Sequence, residues 1–217
     1  MNPYPYGPQP GFSPYAPPAP PYPQQAAGAF YRDVGASAPL SPLGSGARMV
    51  HVVASAIGTL GFFGAVGCIT AAIIVDPDRP DETLMVAGGI GIAVAVLLAY
   101  VQIFAGLFWL YRAWQWLPME QRYTKHWKSM ITPGQAAWMM LIPYFHYYWM
   151  FVVNCGLCDA LDRMRVQYPT RTILQAPKQL AIGACIAQLV IPVPVGAIMW
   201  SLFMRRVERM TAEMSGA

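Results

Sequence analysis

Charged side chains are scarce: they make up 11% of this 217-residue chain while hydrophobic residues make up 56%. A soluble domain carries about 25% charged residues. The shortage is concentrated in four windows, Met49 to Val75, Leu84 to Tyr111, Ala136 to Leu157 and Leu180 to Met204, which contain no Asp, Glu, Lys or Arg. Each reaches the ~20 residues that carry a helix across about 30 Å of hydrocarbon. Composition therefore excludes an ordinary soluble domain. It predicts an all-α membrane protein, a bundle of four transmembrane helices with spans near 49–75, 84–111, 135–157 and 180–204, residues 48–217 forming the membrane domain.

Other absences narrow the function. The first 31 residues have neither Lys nor Arg and no apolar core, so no cleavable signal pattern is present and the first span is expected to direct insertion. There is no phosphate-cradling glycine loop, no HExxH, no GxSxG and no repeat of 20 to 50 residues. The sequence thus points away from an enzyme and implies no cofactor and no metal. Its basic residues flank the apolar windows rather than forming a patch, so nucleic-acid binding is not expected.

What precedes the first span is proline and tyrosine. MNPYPYGPQPGFSPYAPPAPPYPQQ holds ten prolines and four tyrosines in 25 residues, a composition that favours polyproline II and cannot bury a core. Residues 1–47 are expected to form a disordered cytoplasmic tail. Repeated PxxP spacings such as Pro5/Pro8 and Pro14/Pro17 are those of ligands for an aromatic-lined groove on a cytoplasmic protein, but the basic residue that orients such a ligand is missing, and a solvated, weakly multivalent tether is the other reading.

Four spans with a cytoplasmic N-terminus place nine basic residues inside and five outside, the sense that the positive-inside rule favours. The outer segment from Cys158 to Gln179 carries four of those five, which is a strain on this topology. An alternative folds both proline-containing segments back as re-entrant hairpins, and the count becomes thirteen to one. Broken backbone at membrane depth then needs protein or water around it.

Between the second and third windows, PMEQRYTKHWKSMI puts Met119, Tyr123, Trp127 and Met130 at helical spacing. It predicts an interfacial helix over about 118–131. Thr132, Pro133 and Gln135 then form a Thr-x-x-Gln capping box that starts the next helix.

Pro143 in the third window and Pro192 and Pro194 in the fourth are the expected helix breaks. Each break frees backbone groups that need partners in lipid, and facing broken helices are one way in which transporters build sites. His146, Gln102, Gln188 and Asn154 fall near these levels and are the candidate binding residues. No carboxylate or Arg lies in the windows, which argues against an ion-driven pump.

TPGQAAWMMLIPYFHYYWMF resembles a pattern of uncharacterised bacterial multi-span membrane proteins: TPG, a small apolar run, Ile-Pro, two aromatics, a polar residue, Tyr-Trp. Members often carry Pro- or Gly-rich cytoplasmic extensions. The resemblance covers about 20 residues, has His146 where Asn is expected, and implies no activity.

Gly58, Gly61, Gly64 and Gly67 recur every third residue, and Gly88, Gly89 and Gly91 open the second span. Small residues mark close helix approach in lipid, so the first two spans are expected to form a tight hairpin, and the glycine surface also offers a route to a homo-oligomer. Cys155 and Cys158 form a CxxC, the spacing of a redox pair, though no loop-borne second pair accompanies it. Cysteine is also an ordinary small apolar residue.

The sequence reading is a small polytopic protein of the bacterial inner membrane, a membrane-anchored scaffold or interaction protein acting through its Pro-rich tail. The alternative is a transporter or channel component using the polar residues at the helix breaks. A membrane thiol-disulfide oxidoreductase comes third.

Overall fold

The computed structural model describes residues 41–75, 77–78, 80–190 and 192–216. The expected tail lies outside them except for its last residues. The described chain is helical, with one two-stranded hairpin.

Helix α1, Gly46–Val75, and helix α2, Glu82–Trp116, are long and apolar enough to cross a membrane. At 1.5 Å per residue they measure about 45 and 52 Å. Asp81 caps α2, its carboxylate accepting from the backbone N–H groups of Thr83 (2.8 Å) and Leu84 (3.2 Å), which favours a sharp start. The two helices pack antiparallel through glycine. A Cβ on Gly88 would lie 2.4 Å from Ile69 Cγ1, one on Gly91 2.8 Å from Ala65 Cβ, and one on Gly58 3.3 Å from Leu98 Cβ. Gly61, Gly64 and Gly67 face open space instead, and large apolar side chains stay exposed along both helices, among them Leu60, Ile74, Val86 and Leu97.

The segment after α2 departs from expectation. In place of an interfacial helix over 118–131, a 3-10 turn at Met119–Arg122 leads into strands β1, Tyr123–Thr124, and β2, Ser129–Met130, paired antiparallel with Tyr123 opposite Met130. The reason is long-range hydrogen bonding. Arg163 donates to the side chain of Gln121 and to the carbonyls of Gln121 and Tyr123 (2.7–3.2 Å), which holds those carbonyls away from a helical ladder. Lys128 takes a φ of 53°, a left-handed conformation that closes the turn and breaks helical spacing.

Helix α3, Pro133–Trp138, has the capping box that its sequence predicts: Gln135 N–H donates to Thr132 Oγ1 (3.2 Å), and Thr132 N–H to Gln135 Oε1 (2.9 Å). It runs on as one 3-10 turn, Met139–Leu141, and stops at Ile142 and Pro143. Tyr144 has a φ of 62°, and helix α4, Phe145–Arg165, begins there. The chain has folded back. The Trp149 indole donates to the Ala136 carbonyl at 3.3 Å, whereas one straight helix would hold those residues about 20 Å apart.

The fourth window behaves alike. Helix α5, Lys178–Val190, meets a π-helical turn at Pro192–Gly196, and helix α6, Ala197–Ser215, returns alongside it. A Cβ on Gly196 would lie 3.0 Å from Gln188 Cα, and one on Gly183 3.1 Å from Met199 Cε. Two of the four expected spans are therefore continuous helices, while the segments 135–157 and 180–204 each form a hairpin with its break at the prolines.

The core lies where α1 begins and α2 ends. Trp109, Trp114, Trp149, Leu157, Phe203 and Met204 are fully buried there. Trp109 and Phe203 meet edge to face at 5.9 Å. The two hairpins thus form a packed platform around the base of the α1–α2 pair, and Leu43 is buried in the same core.

Candidate functional site

A polar hub ties this base together. Arg48, in the first turn of α1, places Nε 2.7 Å from Glu208 Oε2, and the indole of Trp109 on α2 donates to Glu208 Oε1 at 3.0 Å. Three helices meet at one carboxylate. Burial pushes the Glu208 carboxyl above the ordinary glutamate range, against the opposing pull of Arg48 and Trp109. One turn further along α1, buried His51 lies with Nδ1 3.1 Å from the Gln102 carbonyl, and its Nε2 has no hydrogen-bond partner among the described residues. Gly106 packs beside that ring, where a Cβ would make ordinary contacts with His51 Nδ1 (3.6 Å) and Trp200 Nε1 (3.7 Å).

Two hollows adjoin the hub. A cleft of about 660 Å³ lies between the start of α5 and the middle of α6, lined by Lys178, Gln179, Arg205, Arg206 and Arg209. A groove of about 450 Å³ runs between α1 and α6, from Arg48 and Arg205 past Val52, Ala56 and Thr59 to Leu60 and Pro194. Leu202 and Arg205 line both. Lys178 is paired with Asp159 at 2.7 Å. Arg205, Arg206 and Arg209 have no hydrogen-bond or ion-pair partner among the described residues.

The candidate binding residues each have their own neighbours. Among the described residues no hydrogen bond joins His146, Gln102, Gln188 and Asn154 to one another. The His146 ring lies tilted at 44° against the neighbouring Tyr147, ring centroids 3.9 Å apart. Gln102 contributes its backbone carbonyl to His51, and Gln188 lies against Gly196 at the α5–α6 turn. Asn154 is fully buried, donating to the Met150 carbonyl at 2.7 Å and lying 3.9 Å from Cys185 Sγ, with Oδ1 unpartnered. Pro143 and Pro194 sit at the two chain reversals, and the Pro192 side chain lies outside the described residues.

Cys155 and Cys158 lie on the buried side of α4 as free thiols. Burial, and after it the neighbouring Cys155, pushes the Cys158 thiol above its ordinary pKa, the opposite of the shift that makes a reactive thiolate. Cys185 packs nearby, its Sγ 3.7 Å from the Met150 carbonyl. Cys68 stands apart on α1. Gly156, inside the CxxC stretch, has a packing reason: a Cβ there would meet Thr124 Cγ2 at 2.6 Å. Among the described residues no group of His, Cys, Asp and Glu has the geometry of a metal site.

Sequence reasoning missed the hub and the basic cleft. The signal was present in FMRRVERM, where Phe203, Met204, Val207 and Met210 are buried and Arg205, Arg206 and Arg209 exposed. That is an amphipathic helix continuing past Met204. No protein-family model, curated protein or solved structure matches this chain.

Proposed function

We propose that the chain is an integral membrane protein of the bacterial inner membrane, with two spans, α1 and α2, and two re-entrant hairpins packed against their cytoplasmic end. The exposed side chains support this depth profile. On α6 the exposed positions change from Ile198 and Leu202 to Arg205, Arg206 and Arg209, as a helix leaving the acyl region for the headgroups does. Trp138, Tyr144, Tyr147 and Tyr148 are exposed around the first hairpin turn, where an aromatic belt forms at an interface. All basic residues except Arg79 then lie on the tail side. Four full spans would require pulling apart the Trp149–Ala136 and Gly196–Gln188 contacts.

The function that this arrangement supports best is a membrane-anchored scaffold whose Pro/Tyr-rich tail recruits cytoplasmic protein partners. One observation carries it: the root of the tail is built into the platform. The Trp116 indole donates to the Ser41 carbonyl at 2.8 Å, and Leu43 is 7% exposed, so the last residues of the expected tail are held on the platform. A transport role has weaker support, because among the described residues no hydrogen bond joins its polar residues to one another. Gly61, Gly64 and Gly67, open toward lipid, supply the surface for a homo-oligomer.

The test is cross-linking in cells followed by membrane purification of the full chain and of a chain lacking residues 1–40. Partner recovery should disappear with the tail while membrane residence persists. Equal recovery from both would contradict the scaffold role.

A further inference from the structure

The groove and the cleft share Leu202 and Arg205, so they form one continuous surface, apolar along α1 and basic at its mouth. We propose that this surface is a binding site for one anionic phospholipid of the tail-side leaflet. Its acyl chain lies along Val52, Ala56, Leu60 and Ile198, and its headgroup phosphate sits among Arg205, Arg206 and Arg209. The proposal rests on the two-span reading.

Length supports the choice of occupant. From Arg48 to Leu60 the groove follows α1 for about 18 Å, close to the ~15 Å that one leaflet contributes to the hydrocarbon core. Charge supports it as well. Arg48 is neutralised by Glu208 and Lys178 by Asp159, whereas Arg205, Arg206 and Arg209 are exposed and have no partner among the described residues. Three guanidinium groups within five residues of one helix suit a phosphate, which arginine binds through paired N–H donors. The N-terminal residues of α5, Lys178, Gln179 and Leu180, line the same cleft, and that end of a helix favours negative charge. A zwitterionic lipid offers the same chain but brings its own cation to this mouth, so the anionic class is preferred.

The experiment is native mass spectrometry of the full chain in detergent, titrated with phosphatidylglycerol or phosphatidylcholine. Phosphatidylglycerol should bind at least tenfold more tightly. Replacing Arg205→Gln, Arg206→Gln and Arg209→Gln together should bring it down to the phosphatidylcholine level, and Lys125→Gln with Lys128→Gln should leave the preference intact. Ala56→Trp keeps every charge, fills the groove, and should weaken both lipids; it decides the matter if the triple variant fails to fold. Unchanged preference in the triple variant, undiminished binding to Ala56→Trp, or displacement of the lipid by soluble glycerol phosphate would overturn the proposal. Alkaline carbonate extraction of native membranes is run in parallel. Release of the chain there would defeat the two-span reading, while lipid selectivity in detergent stands or falls separately.

Discussion

Arg48 and Glu208 are 160 residues apart in sequence and 2.7 Å apart in the fold. Their contact joins the first turn of α1 to the last helix, and Trp109 of α2 completes it. Breaking a buried pair by removing one partner costs about 3 to 5 kcal/mol. With part of this pair accessible, Glu208→Ala should lie at the lower end, about 3 kcal/mol, and Glu208→Gln should cost less because it keeps an acceptor for the indole. Thermal unfolding of the detergent-purified chain measures both, and an unchanged Tm for Glu208→Ala would remove the hub from the stability of the fold.

Gly91 faces Ala65 at a distance that no side chain tolerates, while Gly64 faces open space. Gly91→Val should destabilise the α1–α2 hairpin by about 1 to 3 kcal/mol through overpacking. Gly64→Val should leave monomer stability nearly unchanged. If the open glycines pair two copies, Gly64→Val shifts the oligomer toward monomer in sedimentation experiments, and Gly91→Val does not share that selectivity.

Glu213 holds the loop before α5. It accepts from the Arg171 and Thr172 backbone N–H groups, each at 3.0 Å, and from the Thr172 hydroxyl. The Thr172 hydroxyl first, then the backbone donors, holds its carboxyl below the ordinary glutamate range. The unfolded chain therefore binds this proton more readily than the folded one. The stabilisation is fully present above about pH 4.3 and is lost as pH falls through the lower folded value. Hydrogen exchange at Arg171 and Thr172 should accelerate below that pH. In Glu213→Gln it should be fast at every pH, and a flat profile in the native chain would contradict the clamp.

Cys158 and Cys185 are fully buried, and burial keeps the Cys158 thiol protonated at neutral pH. Both should resist maleimide in the native, permeabilised membrane and react only after denaturation. Rapid labelling that appears only after mild reduction would restore the redox-pair reading of Cys155 and Cys158.

The two long helices are legible in the sequence because their windows hold no charge and because Gly88 and Gly91 mark where backbones touch. The breaks at Pro143 and Pro194 are legible too, since proline removes a backbone donor. Their direction is not. A proline does not say whether the chain continues or reverses, and the reversal is fixed by distant contacts, Trp149 on Ala136 and Gly196 on Gln188. The same holds for residues 118–131, where helical spacing yields to hydrogen bonds from Arg163. Asn154 stands out as polar in an apolar window, but its meeting with Cys185 depends on how α5 packs against α4.

Two spans and two re-entrant hairpins make a direct claim about sidedness. It is tested with single cysteines at Val166 and Asp78 in a chain whose four native cysteines are replaced by alanine, labelled in intact cells with a membrane-impermeant maleimide. Val166, 85% exposed beyond the end of α4, should label only after permeabilisation. Asp78, in the loop between the spans, should label without it. Labelling of both positions in intact cells would place the α4–α5 loop on the outer face and contradict the two-span fold.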